Sequence, residues 1–180
     1  RFNANPVKIF KILLLLLVAG SFAFCAAADS RNLRFHQALN TNAYNGSMIQ
    51  DRDGFLWITG TRGIIRYDGY EMTVYHSGET GLSSNYIPGI FEDDEGLLWI
   101  STMGGGLNVF DKKRNAFVKY RHDPDNPSSL SCNQFNWAPK TITQDSDGSI
   151  WVGTASGLNR FDKLQQTFER FLHTSGNRDR

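Results

Sequence analysis

The sequence predicts an all-β fold of four-stranded antiparallel sheets stacked as β-propeller blades, about three blades of an incomplete propeller. Three observations carry this. The stretch from Asp145 to Asp162 (DSDGSIWVGTASGLNRFD) has two earlier copies, from Asp51 (DRDGFLWITGTRGIIRYD) and from Asp93 (DDEGLLWISTMGGGLNVFD). The tryptophans of the copies, Trp57, Trp99 and Trp151, lie 42 and 52 residues apart, near the period of a four-stranded blade. Apolar residues fall on both faces of the segment holding each tryptophan, such as Leu97 and Trp99 against Leu98 and Ile100. A strand apolar on both sides must be sandwiched between sheets.

The chain opens with Arg1, Lys8 and Lys11, then an apolar run from Ile12 to Ala19, then Ala26-Ala27-Ala28. A basic start, an apolar centre and a small-residue end form a secretory signal peptide, residues 1–28, with cleavage placed after Ala28. Ile12 to Ala28 also reaches the lower limit of a membrane span, so an uncleaved anchor is an alternative reading. A lipid-anchored Cys25 is a third, against which stands the bulky Phe24 before it. Removing the three cations takes the formal charge from +1 to −2. With no basic block, nothing in the exported part asks for nucleic acid. It keeps one cysteine, Cys132, so strand pairing and packing, not an intrachain disulfide, must hold it together.

Residues 29–48 are a lead-in, followed by repeats over 49–76, 77–121 and 122–173 and a truncated linker over 174–180. In each repeat a first strand ends at an acidic turn closed by Gly54, Gly96 or Gly148, where Asp tolerates left-handed geometry and Gly supplies a positive φ. In the second repeat this first strand is expected over Tyr86 to Phe91, irregular at Pro88 and Gly89. The tryptophan strand comes next. A glycine (Gly63, Gly106 or Gly157) opens the third strand, which closes on an aromatic residue and Asp68, Asp111 or Asp162. Those aspartates start the last turn by accepting backbone hydrogen bonds two residues on. Fourth strands follow at Met72–Tyr75, Phe117–Tyr120 and Phe168–Phe171. The connections vary, and the long one from His122 to Asn133 widens the second interval.

The pattern Asp-x-Asp-Gly-x-x-Trp-Ile/Val-Gly-Thr-x-x-Gly-Leu-x-Arg-Phe-Asp, with Leu-Ser-x-Asn ahead of it, resembles the two-component regulator propeller repeat. The resemblance covers about residues 31–173. Repeat three matches best. Repeat one has Thr59-Gly60-Thr61 where the pattern has Gly-Thr, and lacks the Leu-Ser-x-Asn lead. The resemblance implies the periplasmic, extracytoplasmic sensor region of an inner-membrane hybrid histidine kinase, detecting an oligosaccharide or another small ligand. It also implies that these 180 residues are a non-catalytic fragment whose partners include the remaining blades of the parent chain. Membrane contact would come only through that parent or an uncleaved N-terminal segment. Three blades are too few to close a ring, and the exposed end faces are expected to cause partial folding or association. The alternatives are a secreted propeller enzyme, similar in architecture to antibiotic-inactivating lyases, and a plain scaffold.

Several residues invite a chemical role. The acids Asp51, Asp53, Asp93, Glu95, Asp145 and Asp147 look like calcium ligands. A calcium loop of the helix–loop–helix kind has its Gly at position 6 and a Glu at 12, whereas Gly comes fourth here, so these are read as turns and no metal or cofactor is expected. Trp57, Trp99 and Trp151 are read as core, and His76, His122 and His173 as solvated strand ends. The candidate ligand contacts are the loop aromatics Tyr44, Tyr86 and Trp137, because loops carry function on such scaffolds. Asn45-Gly46-Ser47 fits a glycosylation triplet without consequence in a protein of this kind, and Cys132 has no visible base to activate it.

Overall fold

Twelve strands form three sheets in chain order. The structure is a computed structural model that describes residues 46–78, 81–136, 138 and 140–172. Blade one contains β1 (Met48–Gln50), β2 (Leu56–Thr59), β3 (Ile64–Tyr67) and β4 (Met72–Tyr75). Blade two contains β5 (Gly89–Glu92), β6 (Leu98–Thr102), β7 (Gly106–Asp111) and β8 (Ala116–Tyr120). Blade three contains β9 (Ile142–Gln144), β10 (Ile150–Thr154), β11 (Gly157–Asp162) and β12 (Thr167–Leu172). Each strand pairs antiparallel with the next, so every sheet is a simple meander. The signal segment, its cleavage residue Ala28, the lead-in up to Asn45, and Tyr44, Trp137 and His173 lie outside the described residues.

The acidic turns join the first two strands of each blade. Gly54, Gly96 and Gly148 donate to the carbonyls of Asp51, Asp93 and Asp145 at 3.0, 3.1 and 3.1 Å. The glycines carry the positive φ, between 84 and 90°, and the aspartates do not. Left-handed geometry is therefore supplied by glycine alone, and the acid is retained for its side chain. The first strand of blade two is shorter than its sequence indicates. It begins at Gly89, because Pro88 has no N–H for a ladder. The Ile87 N–H instead binds the Gly60 carbonyl of blade one at 2.7 Å.

The sheets stack face to face, with β5 lying between β1 and β9. Trp57, Ile64, Tyr75, Ile90, Leu98, Ile100 and Phe110 fill the space between blades one and two. Trp99, Leu107, Val109, Ile142, Ile150, Val152, Phe161 and Phe168 fill the space between blades two and three. All five residues of β6 are buried. Each such Leu, Ile or Phe contributes about 1.5–3 kcal/mol of transfer free energy.

The hairpin glycines set the approach of the fourth strand. A Cβ at Gly63, Gly106 or Gly157 would run into the carbonyl oxygen of Tyr75, Tyr120 or Phe171 respectively, and φ is positive at all three. Changing Gly106 to Ala is expected to destabilise by about 2–3 kcal/mol through strained φ and a displaced β8. The shift in the urea midpoint checks it.

Candidate functional site

The repeated acids do more than turn the chain. In each blade one oxygen of the first aspartate caps the turn and the other holds the tryptophan. Asp51 Oδ1 accepts from the Asp53 and Phe55 N–H groups at 3.0 and 2.9 Å, and Oδ2 accepts from Trp57 Nε1 at 2.8 Å. Asp93 does the same with Glu95, Leu97 and Trp99 at 3.0, 2.9 and 2.9 Å. Asp145 does so with Asp147, Ser149 and Trp151 at 3.0, 2.9 and 2.7 Å. The spacing Asp-x5-Trp thus satisfies an indole donor that burial would otherwise orphan. Trp57 and Trp99 are each 1% exposed, which leaves no face for a sugar; Trp151 is half-buried.

A second device links one blade to the next. Lys112, immediately after Asp111 in blade two, donates to Asp51 Oδ2, Asp53 Oδ2 and Glu92 Oε1 at 3.0, 2.7 and 2.7 Å. Lys163, immediately after Asp162 in blade three, donates to Asp94 and Glu95 at 3.2 and 2.8 Å and lies 3.5 Å from Asp93. The last residues of β5 and β9 join in: Glu92 accepts from the Arg52 N–H at 2.9 Å, and Gln144 from the Asp94 N–H at 2.9 Å. Sequence reasoning missed these residues. The lysine after aromatic-Asp in copies two and three was the available signal.

These contacts set the charge states. Burial opposes charge on Lys112, but hydrogen bonds to Asp53, Glu92 and Asp51 outweigh it and hold its pKa above the ordinary lysine value. Burial likewise opposes ionisation of Asp51, yet bonds from Trp57, Lys112 and Phe55 leave its pKa lowered. The Trp151 bond, with help from the Ser149 and Asp147 N–H groups, lowers that of Asp145. A lowered carboxyl pKa adds stability above its unfolded value of about 4 and loses it as pH falls through the folded value. A raised lysine pKa adds stability below about 10.4, lost as pH rises through the folded value. Stability is therefore expected to hold from about pH 5 to 9 and to fall in acid below about pH 4. Urea midpoints across pH check this, and Lys112→Met should make the acid limb shallower.

On the opposite rim the Leu-Ser-x-Asn segments brace the crossings. Leu82 and Leu130 are buried. The Ser83 N–H donates to Asn108 Oδ1 at 3.1 Å and that of Ser131 to Asn159 Oδ1 at 2.9 Å. Asn85 and Asn133 reach back to the preceding blade, accepting from the Ser77 and His122 N–H groups at 2.6 and 2.7 Å. Blade one has Ile65 where the other blades have Asn108 and Asn159. His122 departs from the solvated strand end its position predicts. It is half-buried, with Nδ1 2.8 Å from the Leu130 carbonyl, because the long crossing folds back over it.

Tyr86, the candidate aromatic that the structure describes, is 55% exposed on the crossing into blade two. Its carbonyl accepts from the Met103 N–H at 2.9 Å, which ties the crossing to the 103–106 hairpin. A groove of about 590 Å³ opens where the first strands converge, lined by Met48, Ile49, Ile90, Phe91, Lys140 and Thr143 among others. A larger outer cleft of about 730 Å³ runs between blades one and two. Four of the cations lining it are engaged: Lys112 and Arg52 on the seam, Arg114 with Asp111 at 3.6 Å, and Arg66 over the Phe55 ring at 4.7 Å. Among the described residues no group of His, Cys, Asp and Glu is placed to hold a metal. Among the described residues there is no helix long and apolar enough to cross a membrane.

The family model described as two component regulator propeller matches the chain three times, at residues 38–62, 81–104 and 129–156. Each match contains one acidic turn and its tryptophan or the crossing that feeds it, the parts that hold the seams. The chain carries three two-component regulator propeller repeats. Solved structures agree with the regulator propeller architecture. One is described as the extracellular domain of the hybrid two component system BT3049 from B. thetaiotaomicron. It superposes with a TM-score of 0.66 at 26% identity, covering 73% of this chain and 19% of that one. Another, the extracellular domain of a one component system, BT4673 from B. thetaiotaomicron, gives 0.55 at 29%, covering 69% and 17%. The regulator propeller chain thus spans less than a fifth of the length of either. Virginiamycin B lyase from Staphylococcus aureus gives 0.50 at 18%, covering 72% of this chain and 41% of that one, which shows the fold alone. No curated protein sequence matches the chain.

Proposed function

We propose that the exported residues form part of the periplasmic sensory propeller of a hybrid two-component histidine kinase, where a small ligand, an oligosaccharide first of all, biases the kinase. The repeat match carries the reading, supported by likeness to extracellular domains of two component and one component systems at 26 and 29% identity. These 180 residues act by binding, not catalysis; the lyases enter only as distant fold relatives. Signalling of this kind requires ligand to bind two receptor states with different affinity. Sequencing the reading frame on both sides tests the assignment. More repeats leading to a membrane helix and a histidine kinase support it, whereas an intact start and a stop codon directly after Arg180 overturn it. In the complete receptor, Tyr86→Ala is expected to weaken oligosaccharide binding about tenfold in calorimetry with an unchanged melting temperature.

A further inference from the structure

The two seams are built alike, yet the clefts that open outside them differ. The cleft between blades one and two is about 730 Å³, and five cations and three acids line it. The one between blades two and three is about 240 Å³ and has Val109 and Phe161 in its walls. Strand register sets Arg66 opposite Trp57 and Val109 opposite Trp99, so Val109 holds in the second cleft the position of Arg66 in the first. The hairpin of the following blade reads Lys112-Lys113 at the first cleft and Lys163-Leu164 at the second. The lysine that grips the acidic turn is common to both. Arg66 and Lys113 are not, and the second seam packs without them, so stacking does not require their charges.

The acids of the first cleft are already matched. Asp53 binds Lys112 at 2.7 Å, Glu95 binds Lys163 at 2.8 Å, and Asp111 meets Arg114 at 3.6 Å. That leaves Arg66 and Lys113, neither of which forms a salt bridge among the described residues. Blade three shows what a structural arginine at this position looks like: Arg160, opposite Trp151, is paired across the strands with Glu169 at 2.7 Å. Arg66 faces Thr73 there instead. Asp68, two residues on, accepts from the Tyr70 and Glu71 N–H groups at 2.8 and 2.7 Å. The Arg66 guanidinium lies over the Phe55 ring at 4.7 Å, a contact that uses its face and leaves its in-plane donors. Its buried Nε has no hydrogen-bond partner. A half-buried cation with unused donors favours an oxyanion.

We propose that this cleft is an anion-binding site that takes the carboxylate or sulfate group of a small organic anion between Arg66 and Lys113. Arg66, held by its ring contact, is the oriented donor. Lys113, exposed on the hairpin, is a point charge on a long stem that can close on the same group. Phe55 and Leu97 also line the cleft and offer an apolar wall to the body of the ligand. The same oxyanion chemistry is supplied by a free anion or by an acidic residue of a saccharide.

Titration calorimetry of the full chain tests this with inorganic sulfate, glucuronate, a glucuronate disaccharide and the neutral glucose disaccharide of the same linkage. The glucuronate disaccharide is expected to bind at least about tenfold tighter than the neutral one. Arg66→Val and Lys113→Leu, which install the residues of the second cleft, should each weaken it about fivefold. Lys113→Glu, at an exposed turn position, should weaken it further and stays readable if Arg66→Val disturbs the fold. Lys119→Gln removes an exposed cation outside the cleft and should change nothing. A disaccharide that binds tighter than glucuronate or sulfate marks a saccharide-borne anion, and equal binding marks a free one; both support the site. Equal binding of the charged and neutral disaccharides overturns it, as does binding that Lys119→Gln weakens as much as Lys113→Glu. No binding of any of the anions up to about 10 mM overturns it too. None of these outcomes depends on what flanks the reading frame, so the sensory assignment stands or falls separately.

Discussion

Replacing Trp99 with Ala is expected to lower the unfolding free energy by about 4 kcal/mol, within the usual range for emptying a buried aromatic site. The side chain is 1% exposed, its ring meets Phe161 edge-on at 5.0 Å, and its Nε1 donates to buried Asp93 at 2.9 Å. Truncation opens a cavity and also takes a donor from a carboxylate that has little water to replace it. Trp99→Phe separates the two effects: the ring volume largely stays while the hydrogen bond goes, at a cost of about 1.5–3 kcal/mol for a bond to a charged group. Trp151→Ala is the internal comparison. That ring is half-buried and has no blade on its outer side among the described residues, so its loss should cost about half as much. Urea unfolding with an unchanged slope checks all three. Equal costs for Trp99 and Trp151 would show that stacking between blades adds nothing to the tryptophan.

Phe110→Ala is expected to cost about 3–4 kcal/mol and to loosen two blades at once. Phe110 belongs to β7, yet its ring meets Trp57 at 5.8 Å and Tyr75 at 5.3 Å, both of blade one, and stacks on Phe117 at 4.4 Å. It is the apolar half of the seam whose polar half is Lys112. Hydrogen exchange should therefore quicken in β2 and β3 as well as in β7, and a Phe110/Trp57 double-mutant cycle should show a coupling of about 1 kcal/mol. Exchange confined to blade two would mean that the blades unfold separately. Lys112→Met should also loosen blade one, but by less, because Asp53 is about half exposed and solvent screens part of its charge.

Much of this was open to a reader of the residues. The copies beginning at Asp51, Asp93 and Asp145 announce equal units, and alternation around each tryptophan announces a strand with two covered faces. The hairpin glycines are also legible, because a blade hairpin needs positive φ at the position where Gly63, Gly106 and Gly157 stand. The Asp and the Trp of each turn were both visible, but their hydrogen bond was not. It depends on the hairpin bringing residues six apart to one side, and the acids read as turn formers alone. The start of β5 was misplaced because a crossing that donates Ile87 N–H to another blade looks, residue by residue, like more strand.

The sequence by itself determined that this protein is a run of four-stranded repeats with tryptophan at the centre of each, because local turn chemistry and period-two alternation act within a few residues. It also showed the regulator propeller repeat. Only the tertiary structure decided how one repeat recognises the next. Lys112 meets Asp51 across 61 residues and Lys163 meets Asp94 across 69, while Ser83 meets Asn108 across 25 and Ser131 meets Asn159 across 28. Those pairings follow from the angle and distance at which sheets stack. That geometry is set by whole interfaces of packed side chains, and no local stretch of sequence contains it.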